Sequence, residues 1–227
     1  MNNLALTRLL QLCNPNLPIG GFSFSQGLES AIEKGWVTNP TDLNEWVSTM
    51  LFESLGNTDL PLLAHQRNAI QSNNYEQFEK NEQLICATRE TSEILMAEQA
   101  MGTAMLRLLK NLKGVNHTES PLWLTEFNKL SFISSFAIAS HHFQLDIDTT
   151  LTGYAWTFVD FQIAAAVKLI PLGQTDGQNL LFEIAKKIPD CVTQSQSVQW
   201  DCIGQSLPGL AIASSWHEQQ YSRLFRS

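Results

Sequence analysis

Two serines lie among glycines in the stretch LPIGGFSFSQGLE, residues 17–29, a composition found in several catalytic and phosphate-binding turns. A nucleophile elbow requires Gly-x-Ser-x-Gly after a strand, but Ser23 and Ser25 each have the other serine where a second glycine is needed. A phosphate-binding loop requires GxxxxGK followed by Ser or Thr, and no lysine occurs before Lys34. The spacing therefore favours neither serine catalysis nor phosphate binding.

The same stretch is better explained as a structural turn that leads into a helix. Pro18 and the pair Gly20-Gly21 are typical of a sharp change in chain direction. Ser23 followed three residues later by Gln26 predicts a capping box, in which both side chains bond to free backbone N–H groups. The prediction is a turn that ends in a capped helix.

A turn does not explain why two phenylalanines, Phe22 and Phe24, occur in so polar a segment. Large aromatic side chains either fill the core or contact another protein. Both alternatives are consistent with the sequence at this point.

The C-terminal stretch HEQQYSRLFRS has a second unusual composition, because arginines alternate with large apolar residues in an acidic chain. Tyrosine, phenylalanine and arginine are enriched in protein interfaces. The anchors would be Tyr221, Arg223, Leu224, Phe225 and Arg226. The alternative is a last helix that packs on the body and frays at its end.

The histidines do not have the spacing of a metal site. His141 and His142 are adjacent, so their side chains would diverge by about 100° on a helix. His65, His117 and His217 have no histidine or cysteine three or four residues away. We therefore interpret each as a structural histidine and expect no metal ligands, although local spacing would not reveal a site built across a dimer.

Charge and composition narrow the class of protein. The 227 residues include 22 acidic and 14 basic residues, a net charge of −8, which argues against nucleic-acid binding. No apolar run reaches the roughly 20 residues that span a membrane, and the N-terminus lacks a signal sequence, so we expect a cytoplasmic protein. The scattered cysteines predict free thiols at Cys13, Cys86, Cys191 and Cys202.

An apolar period of 3.6 residues runs through almost every segment, which predicts one all-α domain over residues 1–227, a single compact bundle of about nine or ten helices. Asn14-Pro15 ends the first helix, Asn39-Pro40 starts another, and residues 75–112 divide into two near 88–91. A long apolar helix, capped by Asp146 or Asp148 and ended by Pro171, should lie at the centre. Gly114 and Asn116 are expected in a loop, and the last helix in residues 210–221.

Long motif blocks resemble one known family. They are LLQLCNPNLPIGGFSFSQGLESAIEKGWV, ATRETSEI, MGTAMLRLL, AVKLIPLGQTDGQNLL and PGLAIASSWHEQQYSRLFRS. Together they extend from Leu9 to Ser227, and they are similar to the urease accessory protein UreF family.

This resemblance implies an all-α, non-catalytic scaffold for urease maturation. It would form a homodimer, bind UreD (also called UreH), recruit the GTPase UreG and gate it while nickel is inserted into apo-urease. No bound cofactor is expected, because nickel would only pass through the assembly. The alternative is a GTPase-activating regulator that supplies a catalytic arginine or lysine to UreG.

The resemblance also suggests roles for individual residues. Glu29 and Lys168 match positions linked to control of the GTPase, and Arg223 matches a tail arginine that orders its docking surface. Some relatives pair that arginine with a tyrosine hydroxyl where Phe22 stands here, so stacking or a backbone acceptor would have to replace the contact. The predicted partner-binding residues are Pro18, Gly20, Gly21, Phe22, Phe24, Gln26, Glu29, Lys168, Tyr221, Arg223, Phe225 and Arg226.

Overall fold

A computed structural model describes residues 3–113, 121, 124, 126–205 and 207–227, and it confirms the all-α class. These residues form eleven α-helices and no strand, and nine of the helices have ten residues or more. The helices are α1 (Asn3–Leu12), α2 (Leu28–Glu33), α3 (Pro40–Thr49), α4 (Leu60–Gln71), α5 (Tyr75–Ala87), α6 (Ser92–Asn111), α7 (Phe132–His142), α8 (Ile147–Leu169), α9 (Gln174–Ala185), α10 (Ile188–Gln196) and α11 (Pro208–Glu218).

The long apolar helix is α8, and it lies at the centre as predicted. It packs against α2, α4, α9 and α10, and most of its residues are buried. Asp146 is the residue that caps it, accepting a hydrogen bond from the backbone N–H of Thr149 at 2.7 Å. Hydrogen bonds from Thr149 lower the pKa of Asp146, so the cap stays charged at the helix N-terminus. The helix ends at Leu169, two residues before Pro171.

The helix that starts at Asn39-Pro40 is longer than its apolar period indicated. The Asn39 side chain accepts hydrogen bonds from the N–H groups of Thr41 and Asp42, which confirms the predicted start. A π-helical segment, Met50–Asp59, then joins α3 to α4, so the helical path continues to Gln71. Simple 3.6-residue periodicity does not detect this wider turn.

The predicted division of residues 75–112 is confirmed by the gap between α5 and α6. The Thr91 hydroxyl accepts a hydrogen bond from the N–H of Ile94 and so caps α6. Arg89, in the same gap, is buried and pairs with Asp59 at 2.8 Å and with Glu98 at 3.1 Å. Burial raises the pKa of Glu98 while Arg89 lowers it, so the pairing offsets the cost of burying this carboxylate.

Two boundaries differ from the prediction. The polar stretch after Pro171 is partly helical, because α9 begins at Gln174, and the last helix ends at Glu218, leaving 219–227 as a non-helical tail. Gly114, Asn116 and His117 lie outside the described residues.

All four cysteines are free, as predicted. Burial raises the pKa of Cys13 to about 11 and that of Cys191 to about 12, so both remain thiols at neutral pH. Cys202 is exposed. Among the described helices, none is long and apolar enough to cross a membrane.

The crossing of α6 and the N-terminus of α7 generates a stability prediction. A Cβ atom at Gly102 would overlap the backbone of Leu130 and Ser131, so Gly102→Ala forces the two segments apart. Overpacking of this kind costs about 1–3 kcal/mol, measurable as a lower free energy of unfolding in urea. Gly209→Ala is the control, because its Cβ would meet no atom within 4 Å. Equal stabilities for the two variants would contradict this account.

Candidate functional site

The glycines of the opening segment allow one phenylalanine ring, Phe22, to face solvent and the other, Phe24, to face the core. Gly20 adopts a positive φ of 76°, and a Cβ at Gly21 would overlap the ring of Phe161. The chain then makes one 3₁₀ turn, Gly21–Ser23. As a result Phe24 is buried at 5% exposure, whereas Phe22 is 60% exposed. Phe24 is therefore a core residue, and of the two rings only Phe22 can contact a partner directly.

The predicted capping box is wrong. Ser23 lies inside the 3₁₀ turn, and the residue that precedes α2 is Gly27, with a φ of 81° and no side-chain cap. Gln26 itself has a positive φ of 51°. Ser25 serves the helix start instead, because its hydroxyl accepts a 3.4 Å hydrogen bond from the N–H of Glu29. The turn is held by distant parts of the chain rather than by a local cap.

The C-terminal tail, residues 219–227, docks directly on the opening segment. The main-chain oxygen of Ser227 accepts hydrogen bonds from the N–H groups of Ser25 and Gln26 and from the Ser25 hydroxyl, at 2.5, 3.1 and 2.6 Å. The N–H of Arg226 donates to the oxygen of Ser23 at 2.8 Å. These contacts place the opening segment and the tail side by side.

The buried carboxylate of Glu29 stabilises this docking by binding the backbone of the tail. Glu29 is 6% exposed, and its two oxygens accept hydrogen bonds from the N–H groups of Leu224 and Phe225 at 2.7 and 2.9 Å. Charged acceptors make hydrogen bonds stronger than neutral ones. Glu29 therefore holds the tail backbone in place and does not face solvent.

His217 connects Glu29 to a second carboxylate. The ring is fully buried, with Nε2 3.1 Å from a Glu29 oxygen and Nδ1 2.6 Å from a Glu93 oxygen. The other Glu93 oxygen accepts from the guanidinium of Arg223 at 2.6 Å. A ring protonated on both nitrogens donates to both carboxylates, whereas a neutral ring donates to one. Glu29, His217, Glu93 and Arg223 thus form a continuous chain of polar contacts that joins α2, α6, α11 and the tail.

Above this buried cluster lies an exposed surface with aromatic and basic residues. The Lys168 ammonium lies 5.9 Å from the ring centre of Phe22 and 5.6 Å from that of Phe225, within cation–π range. Phe225 is 6% exposed and anchors the tail, while Tyr221 and Arg226 are exposed. We call the exposed side chains Phe22, Lys168, Tyr221, Arg223 and Arg226 the tail surface.

Comparison with known proteins agrees with these features. A model of the UreF family matches residues 37–185. The chain is 42% identical over 225 residues to the urease accessory protein UreF of Marinomonas sp. (strain MWYL1), covering 99% of this chain and 95% of that protein. It is 37% identical to UreF of Teredinibacter turnerae and 38% identical to UreF of Alcanivorax borkumensis, over the full length of both chains in each comparison. The chain belongs to the UreF family of urease accessory proteins.

For a UreF-family chain with Phe22 in the opening segment, the tail arginine must find another acceptor than a tyrosine hydroxyl. The expected replacement was stacking or a backbone oxygen. In the structure the acceptor of Arg223 is the carboxylate of Glu93 instead. This pairing was not predicted, since Glu93 lies 130 residues away in the ATRETSEI block.

The predicted site residues fall into three groups. The exposed ones belong to the tail surface. Phe24, Glu29 and Phe225 are buried and lie beneath that surface. The remaining residues, Pro18, Gly20, Gly21 and Gln26, shape the turn. Their roles in binding a partner stay predictions.

Sequence reasoning missed the role of His217 altogether. Its structural interpretation is correct, but no neighbouring residue signalled its two carboxylate partners, which lie 188 and 124 positions away. Two other histidines are disfavoured in their charged form: burial lowers the pKa of His65, and burial and Arg67 lower that of His141. Within the described ranges, no group of three or more His, Cys, Asp or Glu side chains could hold a metal ion.

Replacing His217 should weaken the attachment of the tail to the helices. His217→Phe leaves the buried carboxylates of Glu29 and Glu93 without their shared donor, which costs on the order of 3–5 kcal/mol. We expect a lower free energy of unfolding and faster proteolysis at Arg223 and Arg226. His65→Phe is the control, because its ring packs edge-on against Trp200 and a phenyl ring preserves that contact. A His217→Phe protein with native stability and a protected tail would refute the cluster's role.

Proposed function

We propose that this chain is a non-catalytic scaffold of urease maturation, which with UreD (UreH) recruits the GTPase UreG and gates it during nickel insertion into apo-urease. The observation that carries the proposal is the tail surface, which is held in place by the buried residues Glu29, His217 and Glu93 through their contacts with the tail. The similarity to urease accessory proteins indicates the process, urease maturation. Nickel is the cargo of this assembly, and the chain needs no cofactor of its own.

The tail surface fits an acidic or mixed partner surface. It includes the basic residues Lys168, Arg223 and Arg226 and the exposed ring of Phe22, which lies 5.9 Å from the Lys168 ammonium, on a chain whose net charge is −8. A local basic patch on an acidic protein favours one orientation of approach and repels wrong ones. Arginine and aromatic side chains together are the usual energetic centres of protein interfaces. We therefore assign this surface to UreG.

Gating is favoured over activation by the way in which the basic groups are held. The guanidinium of Arg223 is already paired with Glu93, and the ammonium of Lys168 is placed over two rings. An arginine that completes a GTPase site must extend its side chain away from its own protein and into the nucleotide pocket of the GTPase. The pairing supports a fixed docking surface that controls when UreG turns over. The proposal places this assembly in the cytoplasm, where GTP is available.

Arg223→Ala tests the docking role. The guanidinium is partly exposed and bridges the tail to Glu93, so its loss should weaken UreG recruitment at least tenfold while the helices stay folded. The measurement is light scattering on a size-exclusion column, mixing this protein with UreD and then with GTP-bound UreG. Lys186→Ala, an exposed ion-pair residue on α9's C-terminal side, is the control. Undiminished co-elution of the Arg223→Ala protein would remove the tail from the mechanism.

The same complex separates gating from activation. Adding wild-type protein and UreD to UreG should leave GTP hydrolysis unchanged or slower if the chain acts as a gate. A supplied catalytic arginine or lysine would raise the rate by about 10³–10⁵-fold, a rise that Arg223→Ala or Lys168→Ala would abolish. Such a rise would establish the GTPase-activating alternative.

A second exposed surface fits the proposed homodimer. Leu4, Leu6 and Leu10 of α1 are exposed. Leu10 also lines a largely apolar groove together with Leu9 and with Trp156 of α8. Apolar patches of this kind on a folded chain mark protein contacts. A two-fold pairing of this face would bury the same residues on both copies.

Leu10→Glu should therefore break the dimer. A charge at the centre of an apolar interface stays unpaired there, so the variant should elute as a monomer at concentrations where the wild type is dimeric. Molar mass from light scattering is the readout. Phe182→Glu, an equally exposed apolar position on α9, is the matched control and should not change the mass. Dimers that survive Leu10→Glu would place the interface elsewhere.

A further inference from the structure

A groove of about 420 Å³ lies on a part of the surface that the proposed function does not use. It opens between α3, the residues just before it, and the start of α11. Its walls include Trp36, Trp46, Asp42, Glu45, Leu207 and Leu210. Carboxylates and indole rings therefore surround an apolar floor.

The groove carries the negative charges of Asp42 and Glu45, and hydrogen bonds fix the carboxylate of Asp42. Asp42 accepts hydrogen bonds from the backbone N–H and hydroxyl of Thr38, at 2.9 and 2.7 Å, and from the Asn39 amide at 2.9 Å. Hydrogen bonds from the Thr38 hydroxyl and backbone, then from Asn39, lower the pKa of Asp42. Glu45 lies one helical turn further along the same face. None of the described residues that line the groove is basic, so neither acidic residue is neutralised from within it.

The aromatic wall is also suited to a cation. Trp36 is exposed and packs against Trp216 of α11, with ring centres 5.0 Å apart. The Lys34 ammonium lies 5.8 Å from the centre of the Trp216 ring, so this pair already interacts with one cation of the chain. Indole faces attract ammonium and guanidinium groups more strongly than other aromatic rings do. Trp36 and Trp46 offer the groove two further indoles.

We propose that this groove binds a lysine or arginine side chain presented by a partner protein. The aliphatic stem lies along Leu207 and Leu210, and the charged end reaches Asp42 and Glu45. Long basic side chains bury their stems and keep their charged ends near polar groups in this way. Charge complementarity selects a basic segment, and since the basic patch of this chain, the tail surface, is assigned to UreG, the segment belongs to another protein. The groove is separate from the tail surface and extends the proposed function with a second contact.

Three peptides test the proposal: acetyl-Gly-Gly-Lys-Gly-Gly-amide, its arginine analogue and its norleucine analogue, which keeps the stem without the charge. The full chain is labelled with ¹⁵N, and the indole N–H signals of Trp36 and Trp46 are followed by NMR during each titration. We expect saturable shifts with a charged peptide and at least tenfold weaker binding of the norleucine peptide, since ion pairing and cation–π contacts are lost. Equal binding of the charged and neutral peptides, or no shift with any of them, would overturn the proposal.

A pair of variants checks that the carboxylate of the groove is responsible. Glu45→Gln removes one charge at constant size and should weaken binding of the charged peptide about twofold to fivefold. Glu33→Gln is the matched control, because Glu33 is an exposed acidic residue on α2 that does not line the groove. Equal weakening by both variants would show a general effect of net charge and would also reject the site. Neither result depends on UreG or UreD, so the test stands apart from that of the proposed function.

Discussion

A carboxylate that is taken out of water must replace its lost hydration with protein donors, and Glu29 does so with three of them. Two are backbone N–H groups of the tail and the third is the ring of His217. The order of the tail is thereby linked to the position of α2. Since α2 begins at the end of the opening segment, the turn, the helix and the tail form one unit.

His217 extends this unit into the helical body. Through Glu93 it reaches α6, and Glu93 in turn holds Arg223 at the edge of the surface. The hydrogen-bond partners of Glu29 and Glu93 make the burial of these two carboxylates tolerable, while the removal of His217 or Arg223 leaves a carboxylate short of a partner. The tail is therefore held to the helices beneath it by several hydrogen bonds. A scaffold that must present several side chains to a GTPase at once benefits from this attachment, because less conformational entropy is lost on binding.

A second buried charge system performs a similar task deeper in the bundle. Arg89 joins Asp59, at the end of the π-helical segment, to Glu98 on α6. Tyr154 of the central helix lies close enough for both acids to raise its pKa, although burial is the larger cause. The π-helical segment is thus fixed at its end by a charge contact rather than by its own periodicity. Both systems meet on α6, through Glu93 of the ATRETSEI block and through Glu98, and both of these carboxylates are buried.

Much of the fold could be predicted from local patterns. The caps at Asn39 and Asp146 and the division near Thr91 involve hydrogen bonds between residues two or three positions apart, so the sequence displays both partners together. The central position of α8 followed from its apolar surface on all sides. The capping box of Ser23 and Gln26 failed because the tail supplies the acceptor that a local side chain was expected to supply.

The sequence by itself determined the helical class, most helix boundaries, the free thiols and, through its motif blocks, the family. The tertiary structure alone decided which residues hold the tail surface in place. Glu29, Glu93 and His217 are separated by up to 188 positions, and no local period relates a carboxylate on α2 to an imidazole on α11. It also decided that Phe24 faces the core while Phe22 faces solvent, since a 3₁₀ turn and a positive φ at Gly20 override simple alternation. Local hydrogen bonds are encoded by neighbours in the chain, whereas buried charge pairs exist only after distant helices pack.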